Sequence, residues 1–93
     1  MADVDTMMWE ARAADGCLGE LLDWADTELV PWLQQRPDVT RYELYSAADR
    51  LVVIVRFDQG TTALPDAPAA LLARPAHQWP FRRLGGGPPA SSL

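Results

Sequence analysis

The sequence predicts a single small α+β domain, and three observations support this fold class. Apolar residues recur at helical spacing between Leu18 and Leu33, residues 39–58 have the composition of two strands joined by a tight turn, and an aromatic segment begins at residue 77. The chain has 93 residues, of which 48% are apolar, so it has the composition of a globular protein and room for one core.

The first half of the chain predicts a strand followed by a helix. Met7 to Ala13 contains Trp9 and is bounded by turn residues, which indicates a strand. Asp15 is a candidate N-cap for the helix, and Pro31 predicts a kink before the helix ends near Pro37, because proline removes one helical hydrogen bond. The apolar stripe of this helix consists of Leu18, Leu21, Leu22, Ala25, Leu29 and Leu33.

The second half predicts three further strands and a short helix. Val39–Ser46 and Arg50–Asp58 should pair as an antiparallel hairpin, and Ala69–Arg74 should form a second helix. His77–Leu84 should be an edge strand, because Pro80 cannot donate a hydrogen bond to a neighbour. The resulting order is βαββαβ, which is that of a ferredoxin-like domain with a four-stranded antiparallel sheet and helices on one face.

The folded domain is expected to cover residues 7–84. Residues 1–6 should be a flexible N-terminus, and the Gly-, Pro- and Ser-rich residues 85–93 should be a disordered tail. Three methionines could serve as the natural start, namely Met1, Met7 and Met8.

Alternation along the third strand predicts two different faces of the sheet. Helices on one face leave Val52 and Ile54 uncovered on the other, so a second subunit is expected to cover them. The face under the helices should include Leu51, Val53, Val55, Phe57, Trp9, Tyr42, Leu44, His77, Trp79 and Phe81. The opposite face should include Glu10, Arg12, Arg41, Glu43, Tyr45 and Arg56. Arg56 is expected to pair with Glu10 or Glu43, either across the sheet or across a dimer seam.

The composition excludes several classes of partner and chemistry. The net charge of −5 disfavours nucleic acid and anionic membranes. The longest apolar run, Leu51 to Val55, is too short to span a bilayer, and the first residues lack a secretory signal, so a cytoplasmic location is expected. The lone Cys17 fits a reducing compartment, and one histidine and one cysteine make no metal site. The absence of lysine excludes Schiff-base catalysis.

Three segments together resemble a known family. They are Met8–Arg12 (MWEAR), the first helix with its Pro31, and Leu51–Phe57 (LVVIVRF). With the strand order, they resemble the dimeric α/β-barrel superfamily, and most of all the small proteins grouped with the antibiotic biosynthesis monooxygenases. The resemblance covers about Met7 to Leu84. It implies a homodimer whose two sheets face each other as a barrel, with a pocket between sheet and helices in each subunit.

Four residues are candidates for a site. His77 is the candidate catalytic residue, because histidine is the side chain whose charge most readily changes near neutral pH. Trp9, Tyr42 and Trp79 are candidates for binding a flat aromatic ligand. Each has a structural alternative, namely an exposed strand histidine or packing of a small core. Trp24, on the polar side of the first helix, indicates a subunit contact, a pocket mouth or simple exposure.

These observations predict a homodimer that binds a small, flat, largely apolar molecule between sheet and helices and oxidises it without a bound cofactor. The alternative is a non-catalytic dimer of the same fold, whose pocket is filled by its own side chains and which acts as a binding or accessory protein. The sequence leaves open whether the protein is an enzyme and what its substrate is.

Overall fold

The chain forms a four-stranded antiparallel sheet with one helical layer, as seen in a computed structural model that describes residues 3–89. The strands are β1 (Thr6–Arg12), β2 (Val39–Ala47), β3 (Arg50–Phe57) and β4 (His77–Phe81). Their order across the sheet is β2-β3-β1-β4, and every neighbouring pair is antiparallel. The predicted α+β architecture is therefore confirmed, and the order is compatible with a ferredoxin-like fold. Of the predicted flexible termini, residues 1–2 and 90–93 lie outside the described residues.

The helical layer is one continuous helical run made of three segments. These are α1 (Leu18–Trp24), a π-helical segment (Ala25–Leu29) and α2 (Val30–Gln34). The run begins at Leu18, so the predicted N-cap at Asp15 is wrong. Gly16 has a positive φ of 75°, which separates Asp15 from the helix, and Cys17 occupies the N-cap position without a side-chain hydrogen bond. No helix in residues 3–89 is both long enough and apolar enough to cross a bilayer.

The helix accommodates Pro31 through the π-helical segment that precedes it. The Val30 N–H donates to the carbonyl of Ala25, five residues back, instead of four. Pro31 has no N–H to offer to the turn before it, and one wider turn tolerates that loss. Ala25, Leu29 and Leu33 are all buried, so the apolar stripe stays on the sheet through the irregular turn.

The predicted second helix at Ala69–Arg74 is wrong, because only one 3-10 turn forms there, at Ala69–Leu71. Six residues between two prolines are too few to nucleate an α-helix without support from packing. Leu72 is extended and forms an isolated bridge with Ala13, which draws the chain away from a helical path.

The hairpin between β2 and β3 closes through two residues, Ala48 and Asp49, with Ala47 opposite Arg50. Ala48 has a φ of +54° and is the one non-glycine residue with a positive φ in residues 3–89. Two-residue hairpins require a positive φ to match the twist of their strands, and here an alanine adopts it.

The core lies between the helical run and one face of the sheet. The prediction for β3 is confirmed, because Leu51, Val53, Val55 and Phe57 are all buried. Pairing places Trp9 of β1 directly opposite Val53, and both are fully buried. The helical side contributes Leu21, Ala25, Leu29 and Leu33, and the loop before β4 contributes Leu64 and Ala67.

The orientation predicted for β4 is wrong. Gln78, not Trp79, lies opposite Trp9, so His77, Trp79 and Phe81 point to the side away from the helices. The physical reason is a pair of hydrogen bonds between the Gln78 amide and the loop that covers this corner of the core. The Leu64 N–H donates to Gln78 Oε1 at 2.8 Å, and Gln78 Nε2 donates to the Leu64 carbonyl at 3.3 Å.

Candidate functional site

The face of the sheet turned away from the helical run, called the open face from here on, has no cover within residues 3–89. Strand pairing arranges its side chains in four rows that cross the sheet. In the order β2, β3, β1, β4 the first row is Arg41, Arg56, Thr6 and Phe81, and the second is Glu43, Ile54, Met8 and Trp79. The third is Tyr45, Val52, Glu10 and His77, and the fourth is Ala47, Arg50 and Arg12.

A shallow apolar groove runs along β1 on the open face. It has a volume of about 270 Å³, and it lies between Val52 of β3 and the aromatic residues of β4. Trp79 and Phe81 are each 46% exposed, although large aromatic side chains of a monomeric domain are usually more buried. The groove is lined by Met8, Trp9, Glu10, Val52, Trp79 and Phe81. The open face thus offers an apolar surface of the kind that binds flat ligands or other proteins.

A hydrogen-bonded trio lies on β2, the strand next to β3 on the open face. Arg41 Nη2 donates to Glu43 Oε2 at 2.8 Å, and the Tyr45 hydroxyl donates to Glu43 Oε1 at 3.0 Å. Hydrogen bonds from Arg41 and then from Tyr45 hold the pKa of the Glu43 carboxyl below its usual range. The same bond to Glu43 raises the pKa of the Tyr45 phenol, because the phenol proton is shared with a carboxylate.

A second cluster of charges lies around Glu10, at the end of the groove opposite Phe81. Glu10 Oε2 accepts a hydrogen bond from Arg50 Nη1 at 2.8 Å, and Glu10 Oε1 lies 3.7 Å from Arg74 Nη2. In the last row, Arg12 Nε lies 3.1 Å from a carboxylate oxygen of Asp49. These exposed pairs fix side-chain positions more than they stabilise the fold, since such pairs are worth about 0–1 kcal/mol each.

Arg56 is the exception among these charges. Glu10 pairs with Arg50 and Glu43 pairs with Arg41, so neither predicted partner of Arg56 within the chain is bonded to it. Within residues 3–89, the Arg56 guanidinium has neither an ion pair nor a hydrogen bond. The predicted pairing across the sheet is therefore wrong, and the physical reason is that the two carboxylates are already engaged.

The space between sheet and helices, where a ligand pocket was expected, is filled by the protein itself. Trp9 is fully buried, and its ring stacks on that of Trp24 with centroids 6.0 Å apart. Trp24 is thus half-buried as a packing residue of the core. The Tyr42 hydroxyl accepts a hydrogen bond from Gln34 Nε2 at 2.9 Å, which ties β2 to the end of α2.

The four residues singled out in the sequence fall on two sides of the sheet. Trp9 and Tyr42 lie under the helices, whereas His77 and Trp79 lie on the open face. His77 and Trp79 stack, with ring centroids 5.6 Å apart and an interplanar angle of 9°. The register therefore brings together one predicted pair, the histidine and the tryptophan, at the margin of the groove.

Sequence reasoning missed several residues of the open face as parts of a site. Met8 lies at the centre of the groove between Ile54 and Trp79, and Phe81 closes its end. The alternation of side chains along β3 already predicts that Val52 and Ile54 lie on an uncovered face. The same alternation along β1 would have predicted that Met8 lies on that face too. Among residues 3–89, no three histidine, cysteine, aspartate or glutamate side chains converge as metal ligands.

The chain matches no protein-family model, no curated protein and no solved structure.

Proposed function

We propose that this protein is a homodimeric binding protein, in which two copies pack open face against open face and hold a small, flat, apolar molecule in the groove. The single observation that supports this most is the exposure of Trp79 and Phe81 beside Met8 and Val52, on a sheet face that nothing within residues 3–89 covers. The resemblance to dimeric α/β barrels suggests the same mode of assembly.

The surroundings of the groove favour a second copy as the cover. Charged groups of both signs border the apolar strip, with Arg41 and Glu43 on one side and Arg50 and Glu10 on the other. Such a rim can be complementary to its own rotated copy, as a two-fold interface requires. The apolar centre with a polar rim is also the usual anatomy of a protein interface.

The packing of the interior favours binding on the open face over binding under the helices. Trp9 and Trp24 occupy the space in which a sheet-helix pocket would lie. A ligand there would have to displace a fully buried indole, and burying a large aromatic side chain stabilises a core by several kcal/mol, on the order of 3–5. This packing supports the non-catalytic alternative, in which the protein's own side chains fill the space between sheet and helices.

The proposal places the dimer in the cytoplasm, where the lone Cys17 stays reduced.

An oxygenase-like activity without a bound cofactor is the second candidate function. The observation that favours it is the stacking of His77 on Trp79, which puts a proton-transfer group at the margin of the groove. In this reading, Trp79 positions the flat substrate and His77 removes its proton. His77→Ala should then abolish turnover of a bound substrate and leave the dimer intact. Unchanged turnover would remove His77 from the mechanism.

The test of the dimer is native mass spectrometry of the purified protein and of two matched variants. Ile54→Arg places a charge in the centre of the open face, and Glu28→Arg places the same side chain on the exposed surface of the helical run. We expect a dimer for the unmodified protein and for Glu28→Arg, and a folded monomer for Ile54→Arg. A monomeric unmodified protein, or an Ile54→Arg variant that remains dimeric, would overturn the proposed interface.

The same spectra test the ligand. A dimer that retains additional mass identifies the small molecule directly, and we expect that mass to disappear in Trp79→Ala. Retention of the mass by this variant would move the binding site away from the groove. An empty dimer would support an interaction role through protein contacts alone.

A further inference from the structure

Arg56 lies on the open face in the row that ends at Phe81, one of the residues that line the groove. Strand pairing places the two guanidinium side chains Arg41 and Arg56 directly opposite each other on neighbouring strands. Thr6 follows on β1 and Phe81 on β4, so the same row leads from the arginines to the aromatic end of the groove. Like charges in directly opposed positions destabilise a sheet, and an anion between or beside them reverses that effect.

Among residues 3–89, no carboxylate forms an ion pair with Arg56. Arg41 is engaged with Glu43, and both oxygens of Glu43 already accept hydrogen bonds from Arg41 and Tyr45. Arg56 acts on Glu43 only through its charge, since the two groups form no ion pair within residues 3–89. The other arginines beside the open face, namely Arg12, Arg50 and Arg74, each have a carboxylate within 4 Å.

We propose that Arg56 binds the carboxylate of the groove ligand, so that the ligand is a flat aromatic acid with its ring system on Met8, Trp79 and Phe81. This inference rests on the proposed function and adds the chemical class of the ligand. The Arg56 guanidinium presents a planar fork of N–H donors that matches a carboxylate.

The charges along the groove also set the orientation of the ligand. The opposite end contains Glu10, a carboxylate that repels a second acid group and is held in place by Arg50. Successive rows of a strand are about 7 Å apart, so a two-ring aromatic system attached to a carboxylate at Arg56 reaches Met8 and Trp79 in the second row. The ligand is therefore a monoacid whose apolar end points toward Glu10.

A carboxylate of the second copy is the competing partner for Arg56. In that case Arg56 contributes to assembly, and neutralising it weakens the dimer. In the proposed case Arg56 contributes to ligand affinity, and neutralising it leaves the dimer unchanged. Dimer stability and ligand affinity are separate readouts, which allows the two cases to be distinguished.

The experiment compares two probes of equal shape, 2-naphthoate and its uncharged analogue 2-naphthamide, by NMR titration of the full-length dimer. We expect 2-naphthoate to bind about tenfold more tightly than the amide, with shifts at Met8 and Phe81. Arg56→Gln should remove this preference, and Arg56→Lys should restore part of it. Arg12→Gln is the matched control, because it removes the same charge three rows away and should keep the preference.

The titrations and native mass spectra distinguish failure of the anion site from failure of the proposed function. If both probes bind the groove equally well, the anion site is wrong and the proposed function stands. If neither probe causes shifts in the groove, the proposed ligand-binding function fails with it. If Arg56→Gln lowers the dimer content in native mass spectra, Arg56 pairs with a carboxylate of the second copy and the anion site is wrong.

Discussion

Replacing Ala48 by glycine should stabilise the protein, although glycine substitutions usually destabilise. Ala48 occupies the first position of the two-residue turn between β2 and β3 with a φ of +54°. An L-amino acid with a side chain is strained in this region because its Cβ approaches the neighbouring backbone. Glycine has no Cβ and adopts the same conformation without strain.

The magnitude of this effect follows from two opposing contributions. A non-glycine residue in the left-handed region costs about 1–2 kcal/mol in the folded state. Glycine gives the unfolded chain more freedom, which favours unfolding by roughly 0.4–1 kcal/mol. The balance is a gain of about 0.5–1 kcal/mol for Ala48→Gly, which raises the melting temperature of a domain of this size by about 4 °C.

Thermal unfolding followed by circular dichroism measures this shift, and Ala47→Gly is the matched control. Ala47 is the last residue of β2 and has no positive φ, so glycine there should lower stability by about 0.5–1 kcal/mol. The two variants differ by one position and should move the melting temperature in opposite directions. If Ala48→Gly also lowers it, the strained hairpin turn is not the conformation of the protein in solution.

Two further predictions concern the core and the acid end of the pH range. Leu29 is fully buried in the π-helical segment, so Leu29→Ala should cost about 2–5 kcal/mol in urea unfolding, whereas Glu28→Ala on the exposed side should change stability by less than about 0.5 kcal/mol. A hydrogen bond from the Arg83 N–H lowers the pKa of Asp5. The stabilisation from Asp5 is therefore complete above its ordinary pKa and is lost as the pH falls through the lowered value. Asp5→Asn should be less stable than the unmodified protein at neutral pH, and the difference should shrink below about pH 4. A difference in urea midpoint that stays constant with pH would contradict this account.

The elements of the fold that depend on local patterns follow from the sequence. The alternation of Leu51 to Phe57 predicts a strand with one buried face, and the spacing of Leu21, Ala25, Leu29 and Leu33 predicts which side of the helix packs on it. These features are set by hydrophobic periodicity, which is a property of neighbouring residues.

The orientation of β4 could not be predicted, because hydrogen bonds decide it and hydrophobicity suggests the opposite. In the segment His77–Phe81 the larger aromatic residues alternate with Gln78 and Pro80, so hydrophobicity alone places Trp79 in the core. The Gln78 amide instead satisfies the backbone of Leu64, a buried loop residue whose N–H and carbonyl are otherwise costly to bury. A contact between residues 14 positions apart in the chain therefore determines which side chains of β4 face the core. It places His77 and Trp79, half of the predicted site, on the open face.

The central position of β1 has a consequence for how the chain folds during synthesis. This strand leaves the ribosome before its partners, and it receives its neighbour β3 only after the helical run and β2 have been made. Its second neighbour, β4, comes last, and the bond between Asp5 and Arg83 joins residues 78 positions apart. Bringing such distant segments together costs chain entropy before strand pairing compensates for that cost, and this slows folding. The nascent chain therefore exposes an edge of β1, the strand that contains Trp9, until β4 has been made.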